Sequence, residues 1–278
     1  MDIDGDGRRD ILSGSYSRMT NDMAGLFQVL RGKADGTFGK AEVLKGTDGE
    51  PLIIPVRSKP GKGEDWANNI CTRPFAVDWD GDGHLDLVVG TFPGKFYLFK
   101  GQGRGKFLPK PEEMKAGDRP LKFEGYHGDP FVIDWDGDGD LDILSGSSEG
   151  GVQWAENRAG AGKPPRLEPF RSIIPHGPRL DYGSILRDED LKGPLTDTRI
   201  WVDDVNGDGK LDILVGDLAP LISPVDGLSE TQYKKRFEEW STALSKAAEK
   251  QQIQDLIQQR TQFMKEERTG FIWLYLRK

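Results

Sequence analysis

Cysteine is nearly absent from this 278-residue chain, with Cys71 standing alone. No disulfide within the chain can therefore brace it, and cysteine usage says nothing about redox compartment. Basic charge is also short: 38 Lys and Arg against 46 Asp and Glu leave a formal net charge of −8. That balance removes the electrostatic footprint that nucleic-acid binding needs. No apolar run approaches the ~18 residues of a membrane span, so the chain is not expected to cross a membrane. No secretory leader shows either, because Met1 runs directly into an acidic segment. The three histidines, His84, His127 and His176, share no spacing. No Ser-His-Asp arrangement, glycine-rich phosphate loop or His/Cys metal cluster stands out. Apolar residues make up only 36% of the chain, and glycine is abundant at 36 residues. Many short strands and tight turns suit that composition better than a helical globule, and the length suffices for one large all-β domain or two smaller ones.

What the chain has in quantity is a recurring acidic loop. Asp78 to Gly90 reads D-W-D-G-D-G-H-L-D-L-V-V-G. Asp78, Asp80, Asp82 and Asp86 fall at positions 1, 3, 5 and 9, and His84 offers its backbone carbonyl at position 7. Carboxylates this dense repel one another unless a cation sits among them. Hard oxygens at alternating positions suit Ca²⁺, whereas Mg²⁺ dehydrates reluctantly and demands octahedral geometry. The intervening glycines supply the turns that wrap the chain around an ion. Three more copies follow the same pattern: Asp2, Asp4, Asp6, Arg8 and Asp10; Asp134, Asp136, Asp138, Asp140 and Asp142; and Asp204, Asn206, Asp208, Lys210 and Asp212. The position-7 residues Arg8, Asp140 and Lys210 would again contribute carbonyls. Four Ca²⁺ ions would cancel the formal charge of −8, so the acidity reads as ligand charge rather than as a partner-binding face.

The repetition extends beyond the loops. Each loop runs into an aliphatic, β-prone segment closed by Gly14, Gly90, Gly146 or Gly216. A glycine-led second strand follows, at Gly25–Leu30, Gly94–Phe99, Gly151–Trp154 and Gly270–Leu276. Phe38 and Phe107 mark a further outer strand. Ahead of the last three loops lie the apolar approach segments Pro74–Val77, Pro130–Ile133 and Ile200–Val202. Four strands repeated radially make a β-propeller, so the fold class is all-β. Units are expected near residues 1–46, 74–118, 130–171 and 200–278, within a single domain spanning 1–278.

The motif D-x-D-x-D-G-x-x-D followed by an aliphatic run and glycine resembles the FG-GAP/VCBS repeat family, the calcium-binding blades of integrin-α-like propellers and of many bacterial surface and secreted proteins. The resemblance covers nearly the whole chain apart from its insertions, and Asn206 is its one mild departure. An EF-hand needs a bidentate Glu at position 12, where this chain has Ser13, Val89, Ser145 and Val215. The resemblance implies up to four structural Ca²⁺ ions and a secreted, periplasmic or cell-surface module whose partner is a protein or a carbohydrate. The primary reading is non-enzymatic binding or adhesion. The runner-up is a propeller-type polysaccharide lyase acting on an acidic glycan, since some such lyases carry similar repeats.

Three features interrupt the repeat. Residues 46–73 and 171–199 read as long surface connections. Residues 228–268 read as a helical hairpin inserted in the last unit. There Tyr233, Phe237, Trp240 and Leu244, then Ile253, Leu256, Ile257 and Met264, fall at helical spacing. Ser229 with Gln232 forms a capping box, and the turn is expected near Glu249–Gln252. The first unit lacks the approach strand of the other three. Either the last strands close the ring with the first unit, or further blades precede it, and the second is the expectation. Trp79, Trp135 and Trp201 read as packing between blades. Arg73, His127 and Arg199, just ahead of the approach segments, would gather at one mouth of the ring and offer a weak site for an anionic ligand.

Overall fold

The computed structural model describes residues 1–16, 25–56, 67–177, 181 and 183–278, and it is a mostly β propeller of four small sheets with two helices near the C-terminus. The first sheet orders β1 (Ile11–Ser13), β2 (Gln28–Leu30) and β3 (Glu42–Val43). The second orders β4 (Arg73–Val77), β5 (Asp86–Gly90), β6 (Phe96–Phe99) and β7 (Glu112–Glu113). A two-stranded ribbon, β8 (Lys115–Ala116) and β9 (Arg119–Pro120), follows it. The third orders β10 (Asp129–Ile133), β11 (Asp142–Gly146), β12 (Val152–Ala155) and β13 (Arg171–Ile174). In the fourth, β14 (Thr196–Asp203) and β17 (Ile272–Tyr275) flank the first half of β15 (Asp212–Pro224), while β16 (Met264–Thr269) pairs with its second half. All these pairings are antiparallel, and the acidic loops are the links β4–β5, β10–β11 and β14–β15, with the first loop entering β1.

Side-chain alternation decides which blade meets which. In the row Phe75, Val88 and Leu98, set by the register of β4, β5 and β6, the side chains point to the following sheet. They pack with Val132, Ile143 and Ala155 of the third sheet. The other face of β5, Leu87 and Val89, points back and packs with Phe27, Val29 and Leu44 of the first sheet. Phe131, Leu144 and Trp154 repeat the forward contact against Val202, Ile213 and Val215. The second and third sheets thus each have a leading face turned to the predecessor and a trailing face turned to the successor. Strands covered on both faces need an unbroken apolar run, and Asp86–Gly90 and Asp142–Gly146 are buried at every residue.

The glycine closing the strand after each of the first three loops has a steric reason. A Cβ at Gly14, Gly90 or Gly146 would lie 1.7, 2.3 or 2.4 Å from the carbonyl oxygen of Thr72, Gly128 or Thr198 in the next sheet. The backbones approach so closely that hydrogen bonds cross the seam: Gly128 N–H donates to Thr91 O at 3.1 Å and Thr198 N–H to Ser147 O at 2.9 Å.

The insertion is helical over less of its length than its spacing suggests. Helix α1 (Glu230–Lys246) opens with the expected reciprocal cap, Ser229 Oγ accepting from Gln232 N–H at 3.3 Å and Gln232 Oε1 from Ser229 N–H at 2.9 Å. Helix α2 (Lys250–Gln259) follows after a break at Ala247–Glu249, slightly ahead of the expected turn. Trp240 Nε1–H donates to Leu256 O at 2.7 Å and ties the two together. Beyond α2 a short 3-10 turn at Arg260–Gln262 ends the helical run, and Met264–Thr269 forms β16, because Ala219–Pro224 presents a long strand edge for it to pair with. Tyr233, Phe237 and Trp240 turn onto Ile222, Phe263 and Met264, so the aromatic stripe packs against this β arm. The connection 171–199 is likewise not all loop, since its first residues are the outer strand β13. In 46–73, Leu52, Ile54 and Cys71 are buried, while residues 57–66 lie outside the described ones.

Replacing Gly90 with Ala should lower the urea-unfolding free energy by roughly 3 kcal/mol through overpacking against fixed backbone. Gly39→Ala, whose Cβ would meet only Arg31 O at 3.6 Å, should cost less than about 1 kcal/mol. Equal losses in the two variants would remove the seam as the reason for glycine.

Candidate metal centres in the acidic loops

The first aspartate folds three of the four loops around itself, while in the second loop Asp78 holds only Gly83 N–H, at 3.0 Å. Asp134 Oδ1 accepts from Gly137 N–H at 2.8 Å and Asp138 N–H at 3.1 Å, and its Oδ2 accepts from Gly139 N–H at 3.0 Å. Asp2 and Asp204 make the same three bonds. The fifth position caps the next turn: Asp82 accepts from His84 N–H at 2.8 Å, and Asp6, Asp138 and Asp208 accept likewise from Arg8, Asp140 and Lys210. Such winding demands left-handed backbone at the alternate glycines, and Gly81 and Gly83 have φ of 74° and 86°.

The result is convergence of carboxylate oxygens. Within 4.8 Å of one another lie oxygens of Asp2, Asp4 and Asp6; of Asp78, Asp80 and Asp86; and of Asp134, Asp136 and Asp142. Asp78 Oδ1 and Asp140 Oδ1 are buried without a hydrogen-bond donor, which is costly for a carboxylate unless a cation faces it. The donor set is all oxygen. These residues therefore fit a hard divalent cation of the Ca²⁺ kind.

The four loops differ in the positive charge they already hold. Arg31 Nη1 lies 3.2 Å from both Asp4 and Asp10, and Arg8 pairs with Asp6. Lys100 Nζ reaches Asp80 at 3.2 Å. Among the described residues no basic side chain pairs with Asp134, Asp136, Asp138 or Asp142. Burial pushes the Asp142 carboxyl up to about 6, against the hydrogen bonds from Asn157 and Trp135. Burial also raises Asp136, with the neighbouring Asp138 adding to the effect. In the fourth loop Asn206 Nδ2–H donates to Asp208 Oδ2 at 3.3 Å, so the amide itself relieves one carboxylate.

Position 9 has a role that its place in the motif does not reveal. Asp86 Oδ2 accepts from Trp79 N–H at 3.1 Å and Oδ1 from Gly101 N–H at 2.6 Å. Asp10 bridges Ile3 and Gly32, Asp142 bridges Trp135 and Asn157, and Asp212 bridges Val205 and Arg277 in the same way. All four carboxylates are buried. Each ties the start of its loop to the residue just past a neighbouring strand. Asp86 and Asp142 also reach the oxygen clusters of their loops, whereas the cluster of the first loop is formed by Asp2, Asp4 and Asp6. The recurrence of a buried-strand pattern directly after position 9 was the available signal, because a carboxylate entering such a strand must find buried donors.

The mouth residues do come together, around a carboxylate that their spacing alone did not assign. Arg199 Nε lies 3.2 Å from Asp129 Oδ2 and Arg73 Nε 3.8 Å from Asp129 Oδ1. His127 Nδ1 lies 3.8 Å from Asp197 Oδ1. Burial lowers the His127 pKa, with Asp197 opposing it, and burial raises that of Asp129 against the pull of Arg199 and Arg73. Cys71, His127 and Asp197, at equivalent places in three sheets, have φ of 52°, 65° and 50°. That left-handed backbone aims the strand starts at the mouth.

The family model described as FG-GAP-like repeat matches residues 78–145 and 134–215. No curated protein matches the chain.

Two outcomes follow from the loop geometry. Asp212→Ala should cost about 3 kcal/mol even in EDTA, because it strands two backbone donors, while Asp80→Ala should leave unfolding in EDTA nearly unchanged. A folded-state pKa of about 6 against an ordinary 3.8 means that folding favours protonated Asp142. Its contribution is full below the ordinary value and disappears as pH rises through about 6. In metal-free buffer the melting temperature should therefore fall between pH 5 and pH 7, and Asp142→Asn should flatten that fall. An unchanged slope in the variant would contradict the assignment.

Proposed function

The chain carries FG-GAP-like repeats and is a member of that repeat family, and from this premise we propose that it is a calcium-binding propeller acting as a non-catalytic binding or adhesion module outside the cytoplasm. The observation that carries the calcium reading is the convergence of carboxylate oxygens around the donor-less Asp78 Oδ1. Side chains at positions 1, 3 and 5, the position-7 carbonyls and, in the second and third loops, the position-9 carboxylates would hold the ion. The bound ion neutralises the loop and locks the link between two strands of a blade. Plentiful free Ca²⁺ is a property of extracellular and periplasmic space, which together with the family supports that location. Among the described residues, no helix is long and apolar enough to cross a membrane.

A ligand would be met at the opposite end of the blades from the calcium loops. A cleft of about 680 Å³ lies there, beside the β11–β12 turn, lined in part by Glu124, Tyr126, Glu149, Gln153 and His176. Its size is that of small-ligand and glycan-end sites. Cleavage of an acidic glycan would need free cations at the ring's mouth, and both Arg73 and Arg199 face Asp129.

Calcium titration calorimetry tests the central reading. The third loop, whose aspartates pair with no basic side chain among the described residues, should give the tightest event, and Asp136→Ala should abolish that event alone. A ligand present at a hundred times its Kd stabilises by about 2.7 kcal/mol per site, so excess Ca²⁺ should raise the melting temperature visibly over EDTA. Superimposable melting curves would rule the proposal out.

A further inference from the structure

The packing rule that holds three times among the sheets stops at the fourth. The trailing positions Phe96 in the second sheet and Val152 in the third are 0% and 1% exposed, but their equivalent Ile272 is 79% exposed. Leu98 and Trp154 are 6% and 7% exposed, against 49% for Leu274. Trp201, at the place of Phe75 and Phe131, is 58% exposed and, among the described residues, makes a single ring contact, edge-on to Phe131 at 5.5 Å between centroids. Inter-blade packing thus holds for Trp79 and Trp135, which are buried, and only at one edge for Trp201. The seam glycine shows the same break. A Cβ on Gly216 would meet only its own sheet, at Arg199 O, 3.9 Å away.

The first sheet offers the matching surface. Its leading face carries Ile11 and Leu30, paired across β1 and β2, with Ile11 45% exposed. At the place of Leu85, Leu141 and Leu211, which pack in the three seams, it has the exposed Arg9. In those seams Leu141 shares a core with Val77 and Leu211 with Ile133. The residue equivalent to Val77 and Ile133 in the fourth sheet, opposite Asp212, is the exposed Asp203. An aliphatic pair in the sealed seams thus becomes an acid on the fourth sheet's trailing face and a base on the first sheet's leading face.

We infer that the trailing face of the fourth sheet seats on the leading face of the first sheet of a second copy of this chain, in the register of the internal seams, with Asp203 facing Arg9. Two chains joined head to tail make this seam twice and close one ring of eight sheets, within the size range of propellers. Trp201, Ile272 and Leu274 form its apolar centre, and the ion pair fixes its register.

Sedimentation velocity on the intact chain in Ca²⁺, at tens of micromolar, should show a species of twice the 30.9 kDa chain mass. Trp201→Glu should leave it monomeric. Arg9→Asp and Asp203→Arg, each alone, should weaken association by about tenfold. Mixing the two charge-reversed chains should restore it, because both seams then pair opposite charges again. Unchanged thermal melting of each variant in dilute solution would show that its fold is intact. A wild-type chain monomeric across the concentration range would overturn the inference. So would a dimer indifferent to both reversals, or a mixture no tighter than its separate components.

Discussion

A buried carboxylate holding two backbone N–H groups is the constraint on which each blade depends. Asp10, Asp86, Asp142 and Asp212 each join the second residue of an acidic loop to a residue just past the neighbouring strand of its sheet. For Asp212 the second donor is Arg277, two residues past the end of the last strand and across the whole helical insertion. Once ionised, such a carboxylate holds its two donors firmly, since hydrogen bonds to an ionised acceptor are roughly twice as strong as neutral ones. The loop is thereby shaped before any ion arrives. Its remaining carboxylates are held close enough to repel, and a divalent cation is the economical remedy.

The second constraint is the approach of one sheet's backbone to the next. Gly14, Gly90 and Gly146 exist because a carbonyl of the following sheet occupies the space a side chain would need. Together the aspartate and the glycine bracket the strand between them, fixing one end to its own blade and the other to its neighbour. Function divides along the same axis. The acidic loops gather at one end of the strands, while the open cleft near Tyr126 and His176 and the mouth pairs around Asp129 lie toward the other.

Most of this was legible in the sequence where the pattern is local. Loop positions 1, 3 and 5, their glycines and the following aliphatic runs are contiguous, so their spacing dictates their geometry. The cap at Ser229 and the strands after each loop were legible for the same reason. What escaped was decided by distant partners. Met264 continues a helical spacing, but the overhanging half of β15 offers it a strand edge instead. Arg31 and Lys100 come to the loops from other strands and carry no motif of their own. Asp129 sits between Arg73 and Arg199 only because three sheets converge. Trp201 looks like Phe75 and Phe131 in the sequence; only the arrangement of the sheets shows that it is left 58% exposed, with an edge contact to Phe131.

The most direct measurement is amide hydrogen exchange in EDTA, residue by residue. The N–H groups of Trp79, Gly101, Trp135 and Asn157 should exchange as slowly as the central strands, since their acceptor is a buried carboxylate that needs no metal. The N–H groups of Gly83 and Gly139, held by the half-buried loop aspartates Asp78 and Asp134, should exchange quickly until Ca²⁺ is added. Fast exchange at all of these amides without calcium would contradict the claim that the position-9 aspartates, rather than the ion, set the frame of each blade.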